Sequence, residues 1–218
     1  MKLISIATLI GSLALAPAAF ATTYSNTQVG DLGPFGSPDT TNFGETFTVG
    51  SGQTLQDWTF KLDAGSPGAF KFVVAAFDGS KAVGPALYTA AGSYAGGDVA
   101  ETFGAIDTPL AAGTYIAYMT TAGVANPVSS DWVDTSSTDG GLGGAMWFLN
   151  SNGVDPLTTD TPWFSDAAHG YTPADLQFTA DIVPTVTTAP VPEPASMALM
   201  LAGLGWVGFA ARRRPSRA

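Results

Sequence analysis

Acids and tryptophans are the residues of this chain that could do chemistry, because the sequence holds one histidine and no cysteine. The histidine, His169, lies in the turn-like segment Asp166–Gly170. A Ser-His-Asp hydrolase would need a nucleophile beside it, and the sequence contains no G-x-S-x-G elbow. Transition metals favour histidine and thiolate ligands. We therefore predict that His169 is a solvated loop residue, and we expect neither a cofactor nor catalytic residues.

Carboxylates are plentiful, and the richest segment is Asp131–Gly141, with the sequence DWVDTSSTDGG. Calcium binds carboxylate and carbonyl oxygens on flexible loops, although the spacing here does not match an EF-hand. The sequence leaves two interpretations open, a solvated acidic loop and a weak calcium site. The ligands of such a site would be Asp131, Asp134 and Asp139.

Sugar chemistry is the second option that these residue types allow. A glycoside hydrolase needs only two carboxyl groups at a set separation, which a sequence cannot measure. Tryptophan rings can stack on sugars, or they can simply pack in the core. Trp58 and Trp147 lie in strand-like patterns and are predicted to be core residues, whereas Trp132 and Trp163 lie in loop-like segments and are the better candidates for exposed sugar contacts.

The elements that must position these residues are predicted to be β-strands. Trp58, Phe60 and Leu62 alternate with polar residues, and after the turn segment Asp63–Gly68 the alternation resumes. Short strands separated by Gly, Pro and Asp turns favour a single all-β sandwich or jelly roll. The predicted strands lie at residues 43–49, 58–62, 70–74, 86–89, 99–106, 114–120, 145–149 and 176–182.

Charge separates this predicted domain from the rest of the chain. The 218 residues include 8 Lys+Arg and 18 Asp+Glu, for a net charge of −10, which disfavours nucleic acid as a partner. Residues 22–190 hold only Lys61, Lys71 and Lys81 against 17 acids. The absence of cysteine excludes a disulfide scaffold, and a segment of this length can bury a core without one.

The first 21 residues have the layout of a secretory signal peptide. Lys2 precedes an apolar run from Leu3 to Ala16, and the small-residue pattern of Ala19 and Ala21 follows. Cleavage after Ala21 would start the mature chain at Thr22, outside the cytoplasm. The alternative is an uncleaved anchor or a buried helix, which the short apolar run disfavours.

The C-terminal region is predicted to contain a transmembrane helix over residues 195–211, which carry no charge. Arg212, Arg213 and Arg214 follow at once and belong on the cytoplasmic side of a membrane. Within this helix Gly203, Gly205 and Gly208 match the spacing of a dinucleotide-binding turn, but a lipid-embedded helix offers no strand to precede such a turn. We interpret that match as chance.

Pro192, Glu193 and Pro194 stand immediately before the apolar segment. This order, Pro-Glu-Pro, hydrophobic helix and terminal Arg cluster, resembles the PEP-CTERM sorting signal of Gram-negative bacteria. The resemblance implies that an exosortase, a membrane-embedded cysteine transpeptidase, recognises the tail and processes the chain near Pro-Glu-Pro. The alternative is an ordinary C-terminal anchor behind a proline-containing linker.

A looser resemblance covers residues 43–183. Leu55–Phe60, Phe77–Gly79 and Gly84–Tyr88 are similar to segments of a domain common in PEP-CTERM proteins. Gln177–Asp181 is similar to the Q-F-x-x-D signature of one such group. This resemblance implies a β-sandwich and assigns it no activity.

Together these observations predict a signal peptide at residues 1–21, an all-β domain at 22–183, a Thr/Pro linker at 184–190 and a sorting signal at 191–218. The expected protein is non-catalytic and exported; it is held transiently in the inner membrane, cut by an exosortase, and then displayed at the cell surface or released into the exopolysaccharide matrix of a biofilm. The alternatives are a surface carbohydrate-binding module, a carboxylate-based glycoside hydrolase, and an envelope protein whose anchor is never cut.

Overall fold

The structure is a computed structural model. It describes residues 20–50, 52–129, 131–138, 140–165, 175–185, 200–206 and 209, in two compact units that divide the chain between residues 185 and 186. Several predicted features lie outside the described residues, namely residues 1–19 of the signal peptide with Ala19, the acid Asp139, the histidine His169, the Pro-Glu-Pro motif and the Arg cluster.

The first unit consists of β-strands, as the alternating pattern predicts. Every pairing between the strands is antiparallel. The strands are β1 (Thr22–Ser25), β2 (Gln28–Phe35), β3 (Asn42–Val49), β4 (Gln53–Leu62), β5 (Gly68–Phe77), β6 (Ala82–Tyr94), β7 (Val99–Phe103), β8 (Thr108–Leu110), β9 (Gly113–Thr120), β10 (Asp131–Ser136), β11 (Met146–Leu149), β12 (Asp175–Leu176) and β13 (Phe178–Pro184).

Two sheets form the domain. The larger sheet has the order β1-β13-β4-β10-β12, with β2 on β10 and with β7 and β8 on β4. The smaller sheet has the order β11-β3-β9-β5-β6. The prediction of an all-β sandwich is therefore confirmed.

Aromatic side chains from both sheets meet in the main core because inward-facing positions alternate along each strand. Trp58 of β4 is fully buried and lies against Phe178 of β13, with ring centroids 5.0 Å apart, and against Phe47 of β3 at 5.2 Å. Phe72 of β5 stacks on Phe103 of β7 at 4.3 Å. These contacts tie the smaller sheet to the larger one.

Strand β5 is apolar on both faces, which its sequence pattern did not reveal. Phe70, Phe72 and Val74 face the main core, as predicted, but Val73 and Phe77 lie in a second cluster on the other face. That cluster is closed by residues from β11 and from the segment after it, among them Leu149 of β11, the half-buried Trp147 and Leu157, and Trp163.

One prediction about local structure is wrong, and one strand was missed. Residues 131–136 form strand β10 and not a loop, and residues 28–35 form strand β2, which was not predicted. Gly30, Gly33 and Pro34 interrupt the alternation of β2, so its pairing with β10 rather than its composition makes it a strand.

The second unit is described only at residues 200–206 and 209, where 200–206 are helical. Among the described residues, no helix has the length and apolar character needed to cross a membrane.

Candidate functional site

Three carboxylates from three separate stretches of chain meet on the larger sheet. Asp134 of β10 lies directly opposite Asp31 of β2. Asp63 follows Leu62, the last residue of β4, and Leu62 pairs with Val133 next to Asp134. One oxygen of each carboxylate lies within 4.8 Å of the others. We call Asp31, Asp63 and Asp134 the acidic cluster.

Asp134 is the inner member of the acidic cluster. Its side chain is 1% exposed, and neither of its carboxylate oxygens has a hydrogen-bond partner among the residues that the structure describes. Burial, together with the negative charge of Asp31, raises the pKa of Asp134 to about 6, against a lowering by the charge of Lys61. At neutral pH the ionised group is therefore both desolvated and next to a like charge.

The outer members of the acidic cluster are more accessible. Asp31 is exposed and accepts a hydrogen bond from Nε2 of Gln28 at 2.9 Å. Asp63 is half-buried, and its backbone N–H donates to the Trp132 carbonyl at 3.0 Å, which holds the end of β4 against β10. The cluster thus has one buried wall and one open side.

The cation whose charge acts on Asp134 pairs with another acid. Nζ of Lys61 pairs with Oδ1 of Asp98 at 3.3 Å, and both side chains are substantially exposed. Lys61 lowers the pKa of Asp134 only through its charge at a distance. The three negative charges of the cluster are therefore incompletely compensated.

Asp131 occupies a different environment, although it lies on the same strand. It is fully buried, and a Cβ at Gly65 would overlap its carboxylate, so only glycine fits beside it. Neither oxygen has a hydrogen-bond partner of normal geometry within the described part of the chain. Burial raises the pKa of Asp131 to about 6, against a lowering by the nearby Ser66 backbone N–H.

The acids that the structure brings together differ from the predicted calcium ligands. Asp134 joins Asp31 and Asp63, Asp131 is not a member of this cluster, and Asp139 lies outside the described residues. Asp31 and Asp63 were missed because their proximity depends on the pairing of β2 and β4 with β10. The sequence feature that could have indicated Asp63 as a site residue was its position directly after the alternating pattern of β4.

The two tryptophans predicted to be exposed differ in their surroundings. Trp132 is 45% exposed, although it lies in strand β10 and not in a loop. Trp163 is only 4% exposed, so the expectation that it is accessible is wrong. Its ring packs edge-on against Tyr118 at 5.2 Å, and its backbone N–H donates to the Ser80 carbonyl at 2.8 Å.

One pair of carboxyl groups lies face to face on adjacent strands. Asp57 of β4 is directly opposite Asp181 of β13. Burial raises the pKa of Asp57, and the charge of Asp181 and a hydrogen bond between the two side chains raise it further. Glycoside hydrolases separate their two carboxyl groups by about 5 Å or more, whereas these two side chains are near enough for a hydrogen bond between them to contribute to the raised pKa of Asp57.

Comparison with solved structures gives matches of low similarity. The first is the cysteine protease and lectin-like domains of Cwp84, a surface layer associated protein of Clostridium difficile, at 11% identity and a TM-score of 0.47 over 76% of this chain and 36% of that chain. A second is the T13 IBDV viral particle, at 12% identity and a TM-score of 0.28 over 93% of this chain and 52% of that one. This chain thus spans about a third to a half of the structures it matches. Among curated proteins, none matches the sequence.

The C-terminal region gives a specific match. Residues 190–214 match the family model of the PEP-CTERM protein-sorting motif. The matched residues include Pro192, Glu193 and Pro194, the apolar segment 195–211 and the cluster Arg212–Arg214. Assignment to the Q-F-x-x-D group stays a prediction. The chain therefore carries a PEP-CTERM protein-sorting motif at its C-terminal end, the type of signal by which an exosortase sorts exported proteins.

Proposed function

We propose that this chain is a non-catalytic protein of the cell surface or extracellular matrix, released from its membrane anchor when an exosortase cuts near Pro-Glu-Pro. The observation that carries the proposal is the sorting motif at residues 190–214, which begins shortly after β13 ends at Pro184. The signal peptide, residues 1–21, would start export, and the C-terminal segment would stop it.

The chemistry of the tail suits a transient anchor. Residues 195–211 carry no charge, and at a rise of about 1.5 Å per residue a helix of that length reaches the short limit of a bilayer span. Arg212, Arg213 and Arg214 resist translocation and hold the end of the chain in the cytoplasm. Pro192 and Pro194 keep the preceding peptide extended, which leaves Glu193 accessible to a membrane-embedded protease.

The domain is built so that loss of the tail leaves its strands intact. The last strand, β13, lies between β1 and β4 and ends at Pro184, before the motif begins. A cut near Pro192 would therefore remove none of the hydrogen bonds that close the larger sheet. This supports a fate in which the folded domain persists after processing.

The composition of the domain fits a hydrated, anionic matrix. Residues 22–190 hold 17 acids against three lysines, which keeps the protein soluble and disfavours aggregation through self-repulsion. One histidine and no cysteine leave a single imidazole and no thiol for catalysis, which supports a structural or binding role over an enzymatic one. Association with exopolysaccharide is part of this proposal.

The proposal is tested by the intact mass of the protein from cells and from medium in a strain that contains exosortase. We expect a species that starts at Thr22 and ends near Pro-Glu-Pro. Glu193→Ala should leave only the long form, whereas Asp39→Ala, which removes an exposed acid far from the motif in sequence, should be processed normally. A mature species that retains Arg212–Arg214 in the wild type would overturn the sorting role and leave a permanently anchored protein.

A surface carbohydrate-binding module is the second candidate function. It is favoured by Trp132, whose indole is 45% exposed on β10 and could stack on a sugar ring. Trp132→Ala should then abolish retention on exopolysaccharide from the producing strain, while Val154→Ala, at a comparably exposed apolar position, should not. Equal retention of both variants would exclude Trp132 as a sugar platform.

A further inference from the structure

We propose that Asp31, Asp63 and Asp134 form a calcium site that links strands β2, β10 and the end of β4. The three carboxylates each place one oxygen within 4.8 Å of the others, close enough to share a single cation. Only the domain takes part, so the proposal stands or falls independently of tail processing.

The burial of Asp134 points to a ligand. An ionised carboxylate is rarely left buried without a charge partner or hydrogen bonds, because taking it out of water is costly. Asp134 is 1% exposed, and both of its oxygens lack a partner in the described ranges. A cation between Asp134 and its two acidic neighbours would satisfy these oxygens and remove the repulsion among the three charges.

The donor set selects the class of metal. All three groups are carboxylates, and the sequence offers no cysteine and only His169, so a hard cation is favoured over zinc or copper. Calcium accepts an irregular set of oxygens and retains water, whereas magnesium demands near-octahedral geometry. Ligands from three separate stretches of chain, with Asp31 open to solvent, suit calcium better.

The position of the site predicts its effect on the fold. Asp31 and Asp134 face each other across the β2–β10 pairing, which contains two register shifts, and Asp63 extends from β4 beyond its single paired position with β10. These are the least regular junctions of the larger sheet. A bound cation would connect three stretches of chain there and stabilise the folded state by mass action.

The test is a calcium titration of the purified, chelator-treated chain at pH 7.5 in about 0.15 M monovalent salt, which screens nonspecific attraction between exposed charges. Calorimetry should show one site with a Kd of about 0.1–1 mM, the range of extracellular calcium modules. The melting temperature should rise by a few degrees with calcium and by less with equal magnesium.

Variants assign the site to these residues. Asp134→Asn and Asp31→Asn should each weaken calcium binding by about tenfold or more, which corresponds to about 1.4 kcal/mol. Asp39→Asn removes the same charge at an exposed position outside the cluster and should leave binding within about twofold. If Asp134→Asn does not fold, the exposed Asp31→Asn decides alone.

Three results would overturn the proposal. The first is the absence of calcium-dependent heat and of any shift in melting temperature in the wild type. The second is an equal loss of binding in Asp39→Asn and Asp31→Asn, which would mean diffuse attraction to an acidic domain. The third is an equal response to magnesium, which would remove the assignment to calcium.

Discussion

Thr22, the first residue of β1, lies directly opposite Ile182 of the last strand, β13. The chain therefore enters and leaves the domain at neighbouring positions on one edge of the larger sheet. Signal-peptide cleavage after Ala21 would leave β1 complete, and a cut near Pro192 would leave β13 complete. The pairing of β1 with β13 thus places both predicted processing points just outside the folded domain.

Asn26 fixes the end of β1 and gives the first prediction. Its amide donates to the carbonyls of Leu176 and Thr138 at 2.9 and 3.1 Å, and its side-chain oxygen accepts from the Phe178 N–H at 2.9 Å. Asn26→Ala should lower the free energy of unfolding by about 1–3 kcal/mol, because three backbone groups lose partners. Denaturant titration checks this prediction. As a control, Thr27→Ala at the exposed neighbouring position should change the free energy of unfolding little. Equal effects of the two variants would contradict the prediction.

Glu45 joins the two sheets from within the core. It lies on β3 with 1% exposure, and its Oε2 accepts the Leu176 N–H of β12 at 2.8 Å. Glu45→Ala leaves that buried amide without its acceptor and should cost about 1–3 kcal/mol of stability. Glu45→Gln retains an acceptor oxygen and should cost less than half as much. Thermal unfolding of both variants checks this, and equal losses would indicate that the charge matters instead.

The Asp57–Asp181 pair gives a prediction of increased stability. Like charges directly opposite on adjacent strands destabilise a sheet, and an Asn at position 57 could donate to the Asp181 carboxylate. Asp57→Asn should raise the free energy of unfolding at neutral pH by about 0.2–1 kcal/mol.

The stability gain of Asp57→Asn should depend on pH, and the sign of this dependence follows from the raised pKa of Asp57. The folded state holds a proton there more tightly than the unfolded chain does, so wild-type stability falls as pH rises through the folded pKa. The advantage of Asp57→Asn should therefore vanish in acid. Asp39→Asn corrects for general charge repulsion, and a gain of equal size in that variant would refute the pairwise explanation.

The burial of Asp131 gives a second prediction about how the stability of the fold depends on pH. Its folded pKa is about 6, against an ordinary value of 3.8, because the carboxyl is buried. The protonated form of Asp131 stabilises the folded state fully below about pH 3.8, and this stabilisation is lost as pH rises through about 6. The difference between the folded and unfolded pKa values corresponds to a loss of up to about 3 kcal/mol in the free energy of unfolding at neutral pH. Asp131→Asn should therefore unfold at a higher temperature than wild type at pH 7.5 and at a similar temperature near pH 4. If the unfolding temperatures of the two proteins changed with pH in parallel, the prediction would be contradicted.

Much of this protein could be read from local sequence pattern. Pro-Glu-Pro, an uncharged segment and an Arg cluster act through their order along the chain, so the sorting motif needs no tertiary contact to be recognised. Alternation such as that of Trp58, Phe60 and Leu62 predicts strands because one face of each strand must be apolar. The all-β class followed from many such segments.

The acidic cluster and the surroundings of Trp132 and Trp163 were decided by tertiary structure alone. Asp31 is 103 residues from Asp134 in the sequence, and only the pairing of β2 with β10 brings them together. Trp163 lies in an irregular segment and is buried because β5 and β9 present it with an apolar outer face. Pairing and burial are long-range contacts, which a local pattern does not encode, whereas a targeting signal is read as a linear peptide.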